Sequence, residues 1–168
     1  ISLGRRIFDN LQKAMVYIVA VHVGTAGVAL MPILLGGPLA LLPIHLVFLE
    51  LIIDPACSVA FETEPPEAGV MHRPPRNPKA PLLGRRMMLL GIAQGIGVLA
   101  SVLAIFALSY SSRHSEAQAR AAAFTTMVIA NLGLIATNRS FSHSLSAILR
   151  RRNAAFGWIL LGALVTLG

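Results

Sequence analysis

Long apolar segments alternate with short polar ones along most of the chain. An α-helix needs about 20 apolar residues to cross the hydrocarbon core of a bilayer, and several of these segments reach that length. The pattern therefore predicts an all-α fold, a polytopic transmembrane helix bundle. Five spans are expected, at about residues 14–35, 39–61, 87–110, 121–137 and 154–168. The last apolar run has only 14 residues, 154–167, so its span is expected to be truncated.

The segments between the spans predict how the spans are connected. Residues 1–13 are amphipathic, with an apolar residue at every fourth position, and predict a helical stalk that continues into the first span. Glycines and a proline at 36–38 predict a tight turn, so the first two spans form an antiparallel hairpin. Residues 62–86 are polar and contain six prolines, which predicts an extended loop rather than a packed element.

Two carboxylates, Glu50 and Asp54, lie in the middle of the second apolar segment. A spacing of four residues places both side chains on one face of a helix. Ionised side chains inside a membrane are costly, and two like charges repel each other, so a proton or a cation is expected between them. Pro55 follows directly; it lacks an N–H group and predicts a kinked or unwound helix beside the two acids. Carboxylates beside freed carbonyls are ligands that calcium, magnesium or manganese prefer.

Polar and small residues in the third and fourth spans predict contacts between helices. Gly91 and Gly95 form a GxxxG pattern, which favours the close approach of another helix. Gln94 is expected to form a hydrogen bond between helices. Asn131 lies within the fourth span, either as an ion ligand or as a polar contact between helices.

Composition supports a membrane protein, because 55% of the 168 residues are hydrophobic, 12% are charged and the mean hydropathy is +0.72. The net charge of +7 does not indicate nucleic-acid binding, since the basic residues fall between the apolar runs. Twelve of the 14 basic residues lie on the side of the stalk and the 62–86 loop, which predicts that this side is cytoplasmic. The two on the other side are Arg113 and Arg120.

Several blocks of the sequence together resemble P-type cation-transporting ATPases of the calcium-pump branch. They lie at residues 4–10 (GRRIFDN), 42–55 (LPIHLVFLELIIDP), 64–67 (EPPE), 71–78 (MHRPPRNP), 123–126 (AFTT) and 138–140 (NRS). The resemblance covers nearly the whole chain, as the family's fifth helix to part of its ninth. It implies that residues 1–168 are the C-terminal transmembrane domain of such a pump.

The resemblance also implies partners for this domain. These are the lipid bilayer, the first four helices of the same pump, and upstream cytoplasmic domains that bind Mg-ATP and become phosphorylated. The chain itself has no Asp-Lys-Thr-Gly phosphorylation motif. We therefore expect it to be a piece of a longer protein, inactive alone, in a bacterial-type plasma membrane.

Candidate cation ligands follow from the resemblance position by position. Asp54 matches the family's aspartate, whereas Glu50 replaces its usual asparagine. The family's Asn-Val-Gly-Glu of the fifth helix reads His22, Val, Gly and Thr25 here, and its ligand on the eighth helix falls on Asn131. Because these changes weaken one of the two ion sites of a calcium pump, one ion per cycle is expected. Calcium is the first candidate, with manganese or a proton as alternatives.

Other interpretations of the same residues remain open. The chain could be a stand-alone carrier or an accessory subunit, with Glu50 and Asp54 as a proton relay or a structural pair. His22 could be a hydrogen-bonded histidine between helices, and Thr25 could bond its own backbone.

Overall fold

The computed structural model describes residues 2–66, 70–72, 81–112 and 115–139, together with the isolated residues 157 and 161. Within the helices, only the backbone is described at residues 52–54, 56, 57 and 70. The predicted fifth span and most of the loop before it lie outside the described residues, as does much of the proline-rich loop.

The part of the chain that the structure describes is helical and contains no strand, which confirms the predicted all-α bundle. Its helices are α1 (Ser2–Leu34), α2 (Pro43–Phe48), α3 (Asp54–Glu62), α4 (Arg85–Ser111) and α5 (Glu116–Asn138). Of these, α1, α4 and α5 are long and apolar enough to cross a membrane. Large apolar side chains such as Leu89, Ile96 and Ile129 point outward, as expected of helices that face lipid or further helices.

Helix α1 combines the stalk and the first span without interruption, as predicted. The amphipathic pattern of the stalk, however, is oriented unexpectedly. Leu3, Ile7 and Leu11 are exposed, whereas Asn10 and Lys13 face the bundle and are buried. Polar contacts help to hold the stalk in place: Arg6 and Asn10 donate to the Glu64 carbonyl after α3, and Gln12 donates to the Leu82 carbonyl before α4.

The second apolar segment is not one continuous α-helix. α2 passes into a π-helical turn at Leu49–Ile53, and α3 begins at Asp54. Pro55 thereby falls in the first turn of α3, directly after the π-helical turn. The predicted irregularity beside the acids is thus present, as a π-helical turn.

Helices α1 and α4 run parallel and approach each other through glycines. A Cβ atom on Gly91 would lie 3.0 Å from the carbonyl oxygen of Val16, and one on Gly95 would lie 2.5 Å from that of Ala20. Each glycine therefore lies against the backbone of α1. Gly95 is one turn beyond Gly91 in α4, and Ala20 is one turn beyond Val16 in α1. This confirms the packing role predicted for the GxxxG pattern.

Helix α5 starts earlier than the apolar pattern predicted, because Ser115 and Gln118 form a capping box. The Ser115 hydroxyl accepts from the Gln118 N–H at 3.3 Å, and the Gln118 side chain accepts from the Ser115 N–H at 3.0 Å. One turn later, the Arg120 Nε donates to the Leu39 carbonyl at 3.0 Å, which ties α5 to the turn before α2. Towards the other end, Asn138 Nδ2 donates to Gln94 Oε1 at 3.0 Å, which confirms the interhelical hydrogen bond predicted for Gln94.

Replacing Gly95 with alanine should destabilise the protein. The new Cβ would meet a backbone atom that cannot move alone, so α1 and α4 must separate, at a cost of about 1–3 kcal/mol. Gly97→Ala is the matched control on the same helix, since nothing lies within 4 Å of its added Cβ and alanine favours helix. Thermal unfolding of the purified protein in detergent should show a lower midpoint for Gly95→Ala only. Equal midpoints for the two variants would contradict the close packing.

Candidate cation site

Glu50 lies on the π-helical turn and faces His22 of α1. Its Oε2 atom is 3.8 Å from His22 Nε2, and the two side chains are 41% and 58% exposed, respectively. A π-helical turn shifts the backbone carbonyls out of the α-helical hydrogen-bond pattern, and such turns occur frequently at functional sites. The structure therefore brings together one carboxylate and one imidazole where the second segment is irregular.

The orientation of the His22 ring follows from its second contact. Nδ1 lies 2.9 Å from the carbonyl oxygen of Ile18, one turn earlier in α1. Because a carbonyl oxygen only accepts, Nδ1 carries the hydrogen and donates it. In the neutral ring, Nε2 then presents a lone pair to the Glu50 carboxylate. A cation about 2.1–2.5 Å from each atom can bridge two acceptors at this separation.

Thr25 lies one turn beyond His22 and is buried at 6% exposure. Its hydroxyl has no hydrogen-bond partner. Other helical threonines bond to their own backbone: Thr126 Oγ1 donates to the Ala122 carbonyl at 2.7 Å, and Thr137 Oγ1 to the Gly133 carbonyl at 3.0 Å. Thr25 lacks this hydrogen bond from its hydroxyl to a backbone carbonyl, so such a bond does not explain a threonine at this position.

Asn131 of α5 is fully buried, and neither its Nδ2 nor its Oδ1 has a hydrogen-bond partner. A buried amide without partners costs about 1–3 kcal/mol, so natural proteins rarely keep one without a reason. Asn138, two turns later, is the contrasting case, because it donates to both Gln94 and the Leu134 carbonyl. Asn138 thus forms an interhelical hydrogen bond, whereas Asn131 does not.

Asp54 follows the π-helical turn directly, but its side chain lies outside the described part of the chain. Among the described side chains, no group of three His, Cys, Asp or Glu residues could hold a metal ion. The structure therefore pairs Glu50 with His22, and places Thr25 one turn from His22 on α1. It places Asn131 on α5, which packs mainly against α4 and makes fewer contacts with α1 and α3.

A second polar cluster, which the hydropathy pattern did not reveal, lies where the stalk meets the loop after α3. The Glu64 carbonyl accepts from Arg6 Nε at 3.1 Å and from Asn10 Nδ2 at 2.8 Å. The Glu64 carboxylate accepts from Arg139 Nε at 2.9 Å, with both side chains at most 2% exposed. The two residues are 75 positions apart, in segments without periodicity, so the only signal in the sequence was their presence in blocks 64–67 and 138–140.

Comparison with known proteins agrees with a helical membrane domain that has polar residues inside its spans. The family described as "Cation transporting ATPase, C-terminus" matches residues 38–168. The chain therefore belongs to the P-type cation-transporting ATPases, as a C-terminal membrane region.

Curated relatives agree with this assignment. The chain is 35% identical over 134 residues to a calcium-transporting ATPase of Bacillus subtilis, an alignment that covers 79% of this chain and 15% of the relative. It is 30% identical over 159 residues to the probable cation-transporting ATPase F of Mycobacterium bovis, and likewise to that of Mycobacterium tuberculosis, covering 95% of this chain and 17% of each relative. The chain thus spans about one sixth of the length of these relatives.

Replacing Asn131 with leucine should leave the ion-free protein as stable as before, or more stable. The change removes two buried polar atoms that form no hydrogen bond, at nearly constant volume. Asn138→Leu is the matched control on the same helix; it breaks two hydrogen bonds and leaves Gln94 without this donor, so it should lower stability by about 1–3 kcal/mol. Thermal unfolding in a chelator compares the two variants. A loss of stability in Asn131→Leu as large as in Asn138→Leu would show that Asn131 has a structural partner.

Proposed function

We propose that this chain is the ion-pathway domain of an ATP-driven cation pump, and that it binds a divalent cation with intramembrane carboxylates. The cation-binding residues are Glu50, Asp54, His22, Thr25 and Asn131. The observation that carries the proposal is the π-helical turn that presents Glu50 3.8 Å from His22. Family membership supports the same role, since the relatives are named cation-transporting ATPases.

The proposed ligands divide into a charged part and a neutral part. Glu50 and Asp54 supply negative charge, and a divalent cation between them removes their mutual repulsion. Thr25 and Asn131 supply neutral oxygen atoms that are already desolvated and unbonded, so binding an ion costs them no existing hydrogen bond. Release follows when the helices shift and these oxygens separate, because a hard cation needs several oxygen ligands at once.

Calcium is the proposed cargo, on the basis of these oxygen ligands and of the calcium-transporting relative. The imidazole of His22 suits calcium less well, and manganese accepts both carboxylates and nitrogen. A proton shared by Glu50 and His22 is the other alternative. One ion per cycle is expected, because Thr25 supplies no carboxylate on α1.

We further propose that the stalk end of the bundle faces the cytoplasm, where upstream domains of the same pump bind Mg-ATP. The asymmetry of basic residues supports this orientation. A pull on the stalk would then reach His22 and Thr25 directly, since all of them belong to one uninterrupted helix.

Glu50→Gln and Asp54→Asn in the full-length pump should each abolish ion-stimulated phosphorylation by ATP, or raise the required ion concentration by at least about 100-fold. Each change removes a charge that a divalent cation needs in a low-dielectric site, worth several kcal/mol. Phosphorylation is measured against calcium and, in parallel, manganese. The ion that supports phosphorylation at the lower concentration is the cargo.

Glu116→Gln is the matched control, because Glu116 is an exposed carboxylate that pairs with Arg120 on the surface of α5. It should leave the phosphorylation curve unchanged. Intact ion-stimulated phosphorylation in Glu50→Gln and Asp54→Asn would overturn the proposed function. A transport activity without ATP would instead support the carrier interpretation.

The orientation can be tested with single cysteines in a background lacking Cys57. A cysteine at Leu82, in the loop before α4, should react with a membrane-impermeant maleimide only in inverted vesicles. A cysteine at Ser115, at the start of α5, should react only from the outside of intact cells. The reverse pattern would contradict the cytoplasmic placement of the stalk.

A further inference from the structure

The cluster around Glu64 joins three helices at the stalk end of the bundle. Glu64 lies two residues after α3, its carbonyl is held by Arg6 and Asn10 of α1, and its carboxylate is held by Arg139 at the end of α5. Both charged side chains are almost completely buried. Glu64 therefore binds the stalk through its backbone carbonyl and α5 through its carboxylate.

A buried ion pair is a poor means of stabilisation, because desolvation of the two charges offsets most of their attraction. What the pair does supply is a fixed geometry, since breaking it removes a charge-assisted hydrogen bond between two nearly fully buried groups. Arg139 is also fixed through its own backbone N–H, which donates to the Ile135 carbonyl at 3.0 Å. The backbone of Arg139 is thus hydrogen-bonded to the last turn of α5.

Asn131 lies on the same helix, eight residues before Arg139. This distance is about two turns, or roughly 12 Å of helix. Because Asn131 lies in α5 and Arg139 caps the end of that helix, a displacement of Arg139 would also shift the unbonded amide of Asn131. Thr25 and His22 move with the stalk through α1 itself, so the Glu64–Arg139 pair links the α1 and α5 parts of the proposed site.

We propose that Glu64 and Arg139 are positioning residues, which couple the stalk of α1 to Asn131 and thereby set the affinity of the pump for its cation. The proposal rests on the proposed function. It assigns a role to two residues outside the spans that do not touch the ion. Loss of the pair should weaken ion binding without preventing phosphorylation at saturating ion concentration.

The decisive variant is the double substitution Glu64→Gln with Arg139→Met in the full-length pump. Either single change removes one charge of the pair and leaves the opposite charge buried, whereas the double change removes both, so the bundle is not destabilised in the same way. Phosphorylation by ATP is measured against ion concentration. The concentration for half-maximal phosphorylation should rise at least fivefold, the lower end of the usual range of about 5- to 150-fold for coupling between sites. The maximal level should stay unchanged.

Two further variants separate positioning from general stability. Arg120→Met removes an arginine from the opposite end of α5, where it bonds the Leu39 carbonyl, and should leave the half-maximal concentration unchanged. In an Asn131→Leu background, the double substitution should add less than about twofold, because residues that act through one another are not additive. A full additional effect in that background would show that the pair does not act through Asn131.

The coupling is overturned if the double variant accumulates in membranes at the parental level and keeps the parental half-maximal concentration. Should that variant fail to accumulate, Arg139→Gln decides by the same criterion, since its shorter neutral side chain cannot form the ion pair with the Glu64 carboxylate. The proposed function fails separately: Glu50→Gln and Asp54→Asn would then retain ion-stimulated phosphorylation. Loss of phosphorylation in those two variants, with a parental response in the double variant, rejects only the coupling.

Discussion

The contact between α1 and α4 constrains the rest of the bundle, because glycines bring the two helix backbones close together. Gly91 and Gly95 leave room for the carbonyls of Val16 and Ala20, and larger residues would force the helices apart. One side of α1 is thereby committed to α4. Its remaining surface carries His22 and Thr25, so the packing of α4 decides which face of α1 is available for the proposed cation site.

The irregular second segment depends on a different constraint, the need to satisfy backbone groups where water is absent. Pro55 cannot donate a hydrogen bond, and the chain places it at the start of α3 after a π-helical turn. The same turn carries Glu50. A structural requirement of the backbone and the position of a carboxylate thus coincide, which is why the irregularity, and not the acids alone, supports an ion pathway.

Local features of the sequence predicted much of this fold, and long-range polar contacts could not be predicted in the same way. Apolar length and periodicity predicted the three described helices that are long enough to cross a membrane, Pro55 predicted the irregular turn, and the glycine spacing predicted a close helix contact. The start of α5 was predicted at about residue 121 but lies at Glu116. The reason is that a capping box consists of polar residues, which a hydropathy pattern assigns to a loop. Thr25 stands out because its buried hydroxyl has no hydrogen-bond partner, and Glu64 because it pairs with a residue 75 positions away. Neither property leaves a periodic pattern in the sequence.

The parallel glycine contact has a mechanical consequence. Sliding α4 along α1 by a single residue, about 1.5 Å, would bring side-chain atoms of one helix against the backbone of the other. Axial slip between the two helices is therefore opposed at Gly91 and Gly95. An axial displacement of the stalk, which belongs to α1, would therefore be passed to α4 through these two glycine contacts.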